Sequence, residues 1–138
     1  MAATASDRNT KSRPGARRAF GLAANTFIPS GVIACLNAAG NLVNGSTSAT
    51  LVCVGISVAR YDNSTGAAGA IKGEADRGVW GPFANSAAAD QVALADIGND
   101  CFIVDNQTVA KTNGGGTRSV AGKVHDVTPE GVWVHFTK

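Results

Sequence analysis

A chain of 138 residues suits one compact domain, since a length of roughly 100 to 150 residues buries about two-thirds of the unfolded surface. Hydrophobic residues make up 44% and charged residues 16%, but aromatics are only 6% and glycine reaches 17, a balance that favours many short strands and tight turns over a few long amphipathic helices. No run of 18 apolar residues exists, because the longest candidate, residues 20–36, is interrupted by Asn25, Thr26, Pro29 and Ser30, which argues against a membrane span.

Charge is distributed unevenly. In residues 1–18 the five basic side chains Arg8, Lys11, Arg13, Arg17 and Arg18 face Asp7 alone, so this stretch carries +4 and the rest −2 of a total of +2. The stretch has no apolar periodicity and is rich in Ala, Ser, Thr and Arg, so alone it buries too little surface to offset the entropy of ordering. It reads as a flexible basic arm over residues 1–25, followed by a single β-rich domain over residues 26–138. At about 3.3 Å per residue the first 18 residues reach roughly 60 Å, well past the body of so small a domain. The basic residues would steer such an arm toward an acidic surface, and Phe20, Leu22 and Phe27 would anchor it. Arg17-Arg18-Ala19-Phe20 has the look of a twin-arginine signal and the acid-poor start that of a transit peptide, but Pro14-Gly15 breaks any amphipathic helix and no clean apolar segment follows the arginines, so neither is expected.

From residue 26 onward the pattern is strand, turn, strand. Pro29 and Gly31 precede the apolar run Val32, Ile33, Ala34, Cys35, Leu36, which predicts an edge-like start and then a buried strand. Turn clusters at residues 37–41 and 44–48 flank a short Leu42-Val43 segment, and residues 50–58 form the next strong strand. Residues 71–74 and 78–83 are expected to pair as short strands, and residues 87–97 are the one plausible helix, with Gly98 as its stop. Residues 101–104 and 108–111 read as a hairpin around Asp105-Asn106, followed by a mobile Gly-rich loop at residues 112–116. Thr128-Pro129-Glu130-Gly131 has the turn chemistry to close a last hairpin, with Val127 facing Val132. Uninterrupted alternation then places Lys123, His125, Val127, Val132, Val134 and Phe136 on one face and Val124, Asp126, Trp133 and His135 on the other.

Catalytic motifs are not found. His125 and His135 are the only histidines and fall on opposite faces, so they do not chelate together, and the adjacent Asp126 points away from His125. Cys35, Cys53 and Cys101 sit in apolar runs, with no two within 17 residues of each other, as expected of buried small hydrophobes in a reducing compartment and not of a zinc site. Glu74 and Asp76 are the closest acidic grouping and read as a solvated face. The Gly-rich stretches 66–73 and 113–117 are not followed by Lys-Ser or Lys-Thr and do not join a strand to a helix, so neither reads as a phosphate cradle. The sequons at Asn44, Asn63 and Asn106 carry little without a secretory signal. No cofactor or metal is expected, and binding or structure outranks catalysis.

The runs VGISVARYDNSTGAAG, GVWGPFANS, ALADIGNDCFIVDNQTVAK, GGGTRSVAGKV and PEGVWVHF resemble the small decoration, or cement, proteins encoded beside the major capsid protein of tailed phages. The likeness covers residues 51–138 and is most specific in ADIG followed by CFIVDNQTVA and in GTRSVAGKVHDV ending in GVWVHF; the first 50 residues are least like the pattern. The resemblance implies a compact β-barrel or β-tulip-like body on the capsid exterior, bound to the major capsid protein and to itself as a homotrimer, with no catalytic residues. Arm residues Arg8, Lys11, Arg13, Arg17, Arg18, Phe20, Leu22 and Phe27 are then the candidates for capsid contact, and Trp80, Phe83 and Trp133 for packing in the body or between subunits. The rival from another class is a small nucleic-acid-binding module using the basic arm; with no aromatic residue before Phe20 to stack on bases, its binding would be phosphate-driven and salt-sensitive. A small β enzyme ranks third and needs a polar pocket containing His125 or His135 beside a perturbed carboxylate.

Overall fold

The computed structural model of the chain describes residues 3–13 and 15–138. Strands run in the order β1 (Arg17–Gly21), β2 (Thr26–Ile28), β3 (Ile33–Leu36), β4 (Leu42–Asn44), β5 (Val52–Ser57), β6 (Tyr61–Asn63), β7 (Lys72–Asp76), β8 (Gly78–Asn85), β9 (Asp100–Ile103), β10 (Thr108–Ala110), β11 (Val120–Thr128) and β12 (Gly131–Phe136). The fold is mainly β, as expected, and it contains a closed barrel.

One sheet has the order β1-β7-β5-β3-β4. Just past β1, Leu22 makes a parallel bridge to Leu42 of β4, and Ala23 N donates to the Leu42 carbonyl at 3.1 Å, so the two edges of the sheet curl together. The interior holds Leu22, Ile28, Ala34, Leu42, Val54 and Ala75, covered by the two-stranded ribbon of β2 and β6. So tight a curl needs small residues at the crossings. A Cβ on Gly73 would come within 2.9 Å of Leu22 and of Tyr61, which explains locally why the composition leans on Gly and Ala.

The second half closes fully in the order β10-β8-β12-β11-β9, with β9 and β10 pairing to complete the ring, so the barrel has no open edge around most of its girth. Its core is Phe83, Val92, Cys101, Ile103, Val109, Ala121, Val124, Val132, Val134 and Phe136, with Phe83 and Phe136 edge to face at 5.7 Å. Ile33, Cys35, Cys53 and Ile56, from the outer face of β3 and β5, join this same core, while Ala34 and Val54 point into the other. Strands β3 and β5 are therefore a wall shared by two cores, and burial on both faces makes their sequences continuously apolar instead of alternating. Gly55 lets this wall approach β7: its φ is +124° and a Cβ there would lie 1.9 Å from the Asp76 carbonyl oxygen.

Five expectations are corrected. The helix at residues 87–97 is replaced by two 3-10 turns, Ala88–Asp90 and Leu94–Asp96. The segment offers no continuous apolar face, Ala88 has a φ of +55°, and side chains of Asn85 and Asp96 take the backbone N–H groups of Val92 and Ala93 at 2.9 and 2.7 Å. Residues 71–74 and 78–83 do not pair with each other. Strand β7 lies between β1 and β5, whereas β8 joins β12 and β10, and the chain passes from one sheet to the other at Arg77. The arm boundary at residue 25 falls inside the body, because residues 17–21 pair with β7 and Leu22 is fully buried.

The fourth correction lies in the last hairpin. Val127 does face Val132, but a bulge at residue 125 shifts the register so that Val124 pairs with Val134 and Lys123 with His135. The extra residue turns Val124 into the core and leaves His125, Lys123 and His135 all exposed. Finally, the Gly-rich loop at residues 112–116 is tied down: the Asn113 carbonyl accepts from Thr117 N and Arg118 N at 3.0 Å, and Asn113 Oδ1 accepts from Gly116 N at 3.2 Å.

Candidate functional site

The arm separates into a free part and a root. Residues 3–13 are exposed throughout, and their hydrogen bonds are local, Thr4 with Ser6 and Thr10 N to the Arg8 carbonyl. Arg8, Lys11 and Arg13 lie here and form no ion pair among the described residues. The root is held. Arg17 makes a fork to Asp76 at 2.8 and 2.9 Å, which depresses the Asp76 carboxyl below its usual range and raises the guanidinium. Arg18 lies over the Phe20 ring at 5.4 Å and donates Nη2 to the Lys138 carbonyl. Burial and then the neighbouring charge of Arg77 lower its pKa, and its Nε is buried without a partner.

The proposed apolar anchors are not equivalent. Leu22 is at the centre of the first core, and Phe20 packs against that core half-buried. Phe27 is 42% exposed, with Arg60 at 5.8 Å from its ring centre. Of the aromatic packing candidates, Phe83 belongs to the barrel core, Trp133 is half-buried against β8, and Trp80 stands outside at 37% exposure with its indole N–H donated to the Arg77 carbonyl at 3.1 Å.

Trp80 borders an open groove of about 720 Å³. It is lined by the run Trp80, Gly81, Pro82, Phe83, Ala84 of β8, by Ser30, Gly31, Val32 and Ile56, and by Gln107 and Glu130. The groove exists because β10 meets β8 only at Ala84 and Asn85, so along residues 78–83 the edge of β8 away from β12 has no strand partner. The groove is not among the sites expected from the sequence, although Pro82 within an apolar strand, unable to donate to a ladder, is a signal of an edge.

Elsewhere the side chains are arranged for structure. His125 and His135 are exposed, and no group of three or more His, Cys, Asp or Glu among the described residues is placed to hold a metal ion. Cys35 and Cys53 face each other across β3 and β5; the Cys35 thiol is pushed up by its hydrogen bond with Cys53 and by burial. Burial pushes the Cys101 thiol up to about 12. Asp90 is drawn down by the Thr112 hydroxyl and then by Arg118, which braces the Gly-rich loop against the first 3-10 turn. Asp105, Asp126 and Glu130 form no ion pair among the described residues. Among these residues no helix is long and apolar enough to cross a membrane. No known protein family, curated protein or solved structure matches the chain.

Proposed function

We propose that this chain is a structural virion protein that decorates the outside of a tailed-phage capsid and bridges neighbouring major capsid protein subunits, acting as a homotrimer made in the host cytoplasm. The observation that carries this reading is the contrast between a body of two cores fused through one wall and a basic segment, residues 3–13, that is exposed throughout and has only local hydrogen bonds among the described residues. A body of this kind supplies rigidity, and an exposed segment with only local hydrogen bonds reaches a neighbouring subunit beyond the body's own footprint. Many copies on one lattice turn a modest affinity per contact into a large stabilisation of the shell. The resemblance of residues 51–138 to decoration proteins points the same way.

The contact candidates narrow to Arg8, Lys11 and Arg13 on the arm and Phe27 and Trp80 on the body, because Arg17 is engaged by Asp76 and Leu22 is core. The test is co-sedimentation with empty heads that lack the protein, scored by copies bound per shell and by the heat resistance of the heads. Saturable binding at a stoichiometry tied to the shell lattice is expected. Removal of residues 1–13, which spares β1, is expected to leave the body folded and to lower occupancy at least tenfold. A chain that ignores heads but binds DNA with a steep salt dependence would instead be a nucleic-acid module.

A further inference from the structure

We infer that the groove along the free edge of β8 takes the basic arm of a second copy of this chain, added as a short β-strand. The inference rests on the decoration reading and deepens it by naming the subunit that the arm engages.

The groove has the properties of a strand acceptor. Among the described residues, β8 is hydrogen-bonded along 78–83 only through its β12 edge, and no other backbone hydrogen bond reaches it. An unpaired edge in a sheet is a template for another chain, and an extended segment that adds to this one gains main-chain hydrogen bonds at residues other than Pro82, which has no N–H to donate. The exposed Trp80 and the neighbouring Pro82 and Val32 give that segment an apolar floor.

The arm has the complementary properties. Its backbone from residue 3 to residue 13 makes only local hydrogen bonds, and its side chains carry Arg8, Lys11 and Arg13 against Asp7. Among the described residues no Lys or Arg lines the groove; its one charged lining residue is Glu130, which forms no ion pair among them. A basic arm and a groove whose one charged lining residue is a carboxylate match in charge. Extended at about 3.3 Å per residue, residues 3–13 span roughly 36 Å, enough to cross a subunit boundary and run the length of β8.

The arm and the groove lie on different edges of β8. The arm leaves the body where Arg77 N donates to the Ala16 carbonyl, and there Gly15 and Ala16 border His135, Phe136 and Thr137, on the β12 side of β8. The groove opens at the opposite edge of β8, beside Ile56 and Gly31. An arm that exits on one side and an acceptor that opens on the other make a head-to-tail contact, which closes into a ring when the rotation between copies suits, as in a trimer.

Disulfide trapping of full-length chains tests this. One variant carries Thr10→Cys on the arm and another Gln107→Cys at the groove; the native Cys35, Cys53 and Cys101 are buried and do not compete. Mixing the two under mild oxidation is expected to give the cross-linked heterodimer at least tenfold faster than Thr10→Cys mixed with Ala95→Cys, which lies outside the groove. Adding Glu130→Arg to the groove partner is expected to slow trapping by roughly two- to fivefold, the range for loss of an exposed charge contact. Equal trapping at residues 107 and 95 overturns the inference, and so does a chain bearing both Thr10→Cys and Gln107→Cys that closes on itself and forms no linked copies. Either of these results leaves the decoration reading standing, since head binding is scored separately. Failure to bind heads with efficient trapping would remove the decoration reading and keep the arm exchange.

Discussion

Replacing Gly55 with Ala tests the shared wall directly. The residue sits at φ +124°, a region that only glycine occupies at low cost, and holding an alanine there costs about 1–3 kcal/mol. The added Cβ also meets Asp76 backbone, 1.9 Å from its oxygen and 2.6 Å from its carbon. Backbone does not swing aside as a flexible side chain does, so β5 must part from β7 where Ile56 pairs with Asp76. Separation weakens one or two ladder hydrogen bonds, worth about 0.5–1.5 kcal/mol each, and loosens the packing of Ile56 and Ala75, a displacement that costs about 1–3 kcal/mol. The expected destabilisation is about 3–6 kcal/mol, a large share of the 5–15 kcal/mol typical of a domain. Gly40→Ala is the control: its φ is +80° but no heavy atom lies within 4 Å of the new Cβ, so conformational strain alone applies, about 1–2 kcal/mol. Urea unfolding followed by circular dichroism gives both values, with the slope expected to stay unchanged. If Gly55→Ala costs no more than about 1 kcal/mol beyond Gly40→Ala, the close approach of β5 to β7 is not a real constraint and the reasoning fails.

The Arg17 to Asp76 fork predicts a pH effect with a definite sign. The folded state depresses the Asp76 carboxyl, so its contribution is present above the ordinary carboxylate pKa and disappears as pH falls through the depressed one. Asp76→Asn is therefore expected to lower the urea midpoint at pH 7 and to converge with the parent as pH falls through the depressed carboxyl pKa; a midpoint difference that stays constant as the pH falls would show that the charge contributes nothing. The buried cysteines give a second check. At neutral pH the folded protein is expected to leave Cys35, Cys53 and Cys101 unreactive toward a thiol reagent, and guanidinium to expose all three, because each is at most 1% exposed and the thiolates of Cys35 and Cys101 are disfavoured as well. Modification of any of them in the native state within minutes would mean that the wall between the two cores opens readily.

The sequence read well wherever local pattern decides structure. Apolar residues 33–36, 52–57 and 101–103 appear as strands, and Pro129-Glu130 closes the β11 to β12 hairpin with Val127 opposite Val132. The lack of apolar periodicity over residues 1–18 set a basic arm apart from the body, with the division at residue 25, whereas the first strand already begins at Arg17. Arg17 and Phe20 looked like arm because their strand makes no sense alone; it becomes favourable only when β7, 59 residues away from Arg17 at Asp76, supplies the ladder and the carboxylate.

By itself, then, the sequence determined the class: a glycine- and alanine-rich chain with few aromatics, short apolar runs and strong turn chemistry, which forms strands and not long helices, and a basic start that has nothing apolar to bury. Tertiary structure decided how those strands share surfaces. The bulge at residue 125 that turns Val124 inward, the wall of β3 and β5 buried on both sides, and the groove left where β10 joins β8 only at Ala84 and Asn85 all depend on partners distant along the chain. Register and edge exposure are properties of pairs of strands, fixed by long-range packing and close backbone approach, and no single segment carries them.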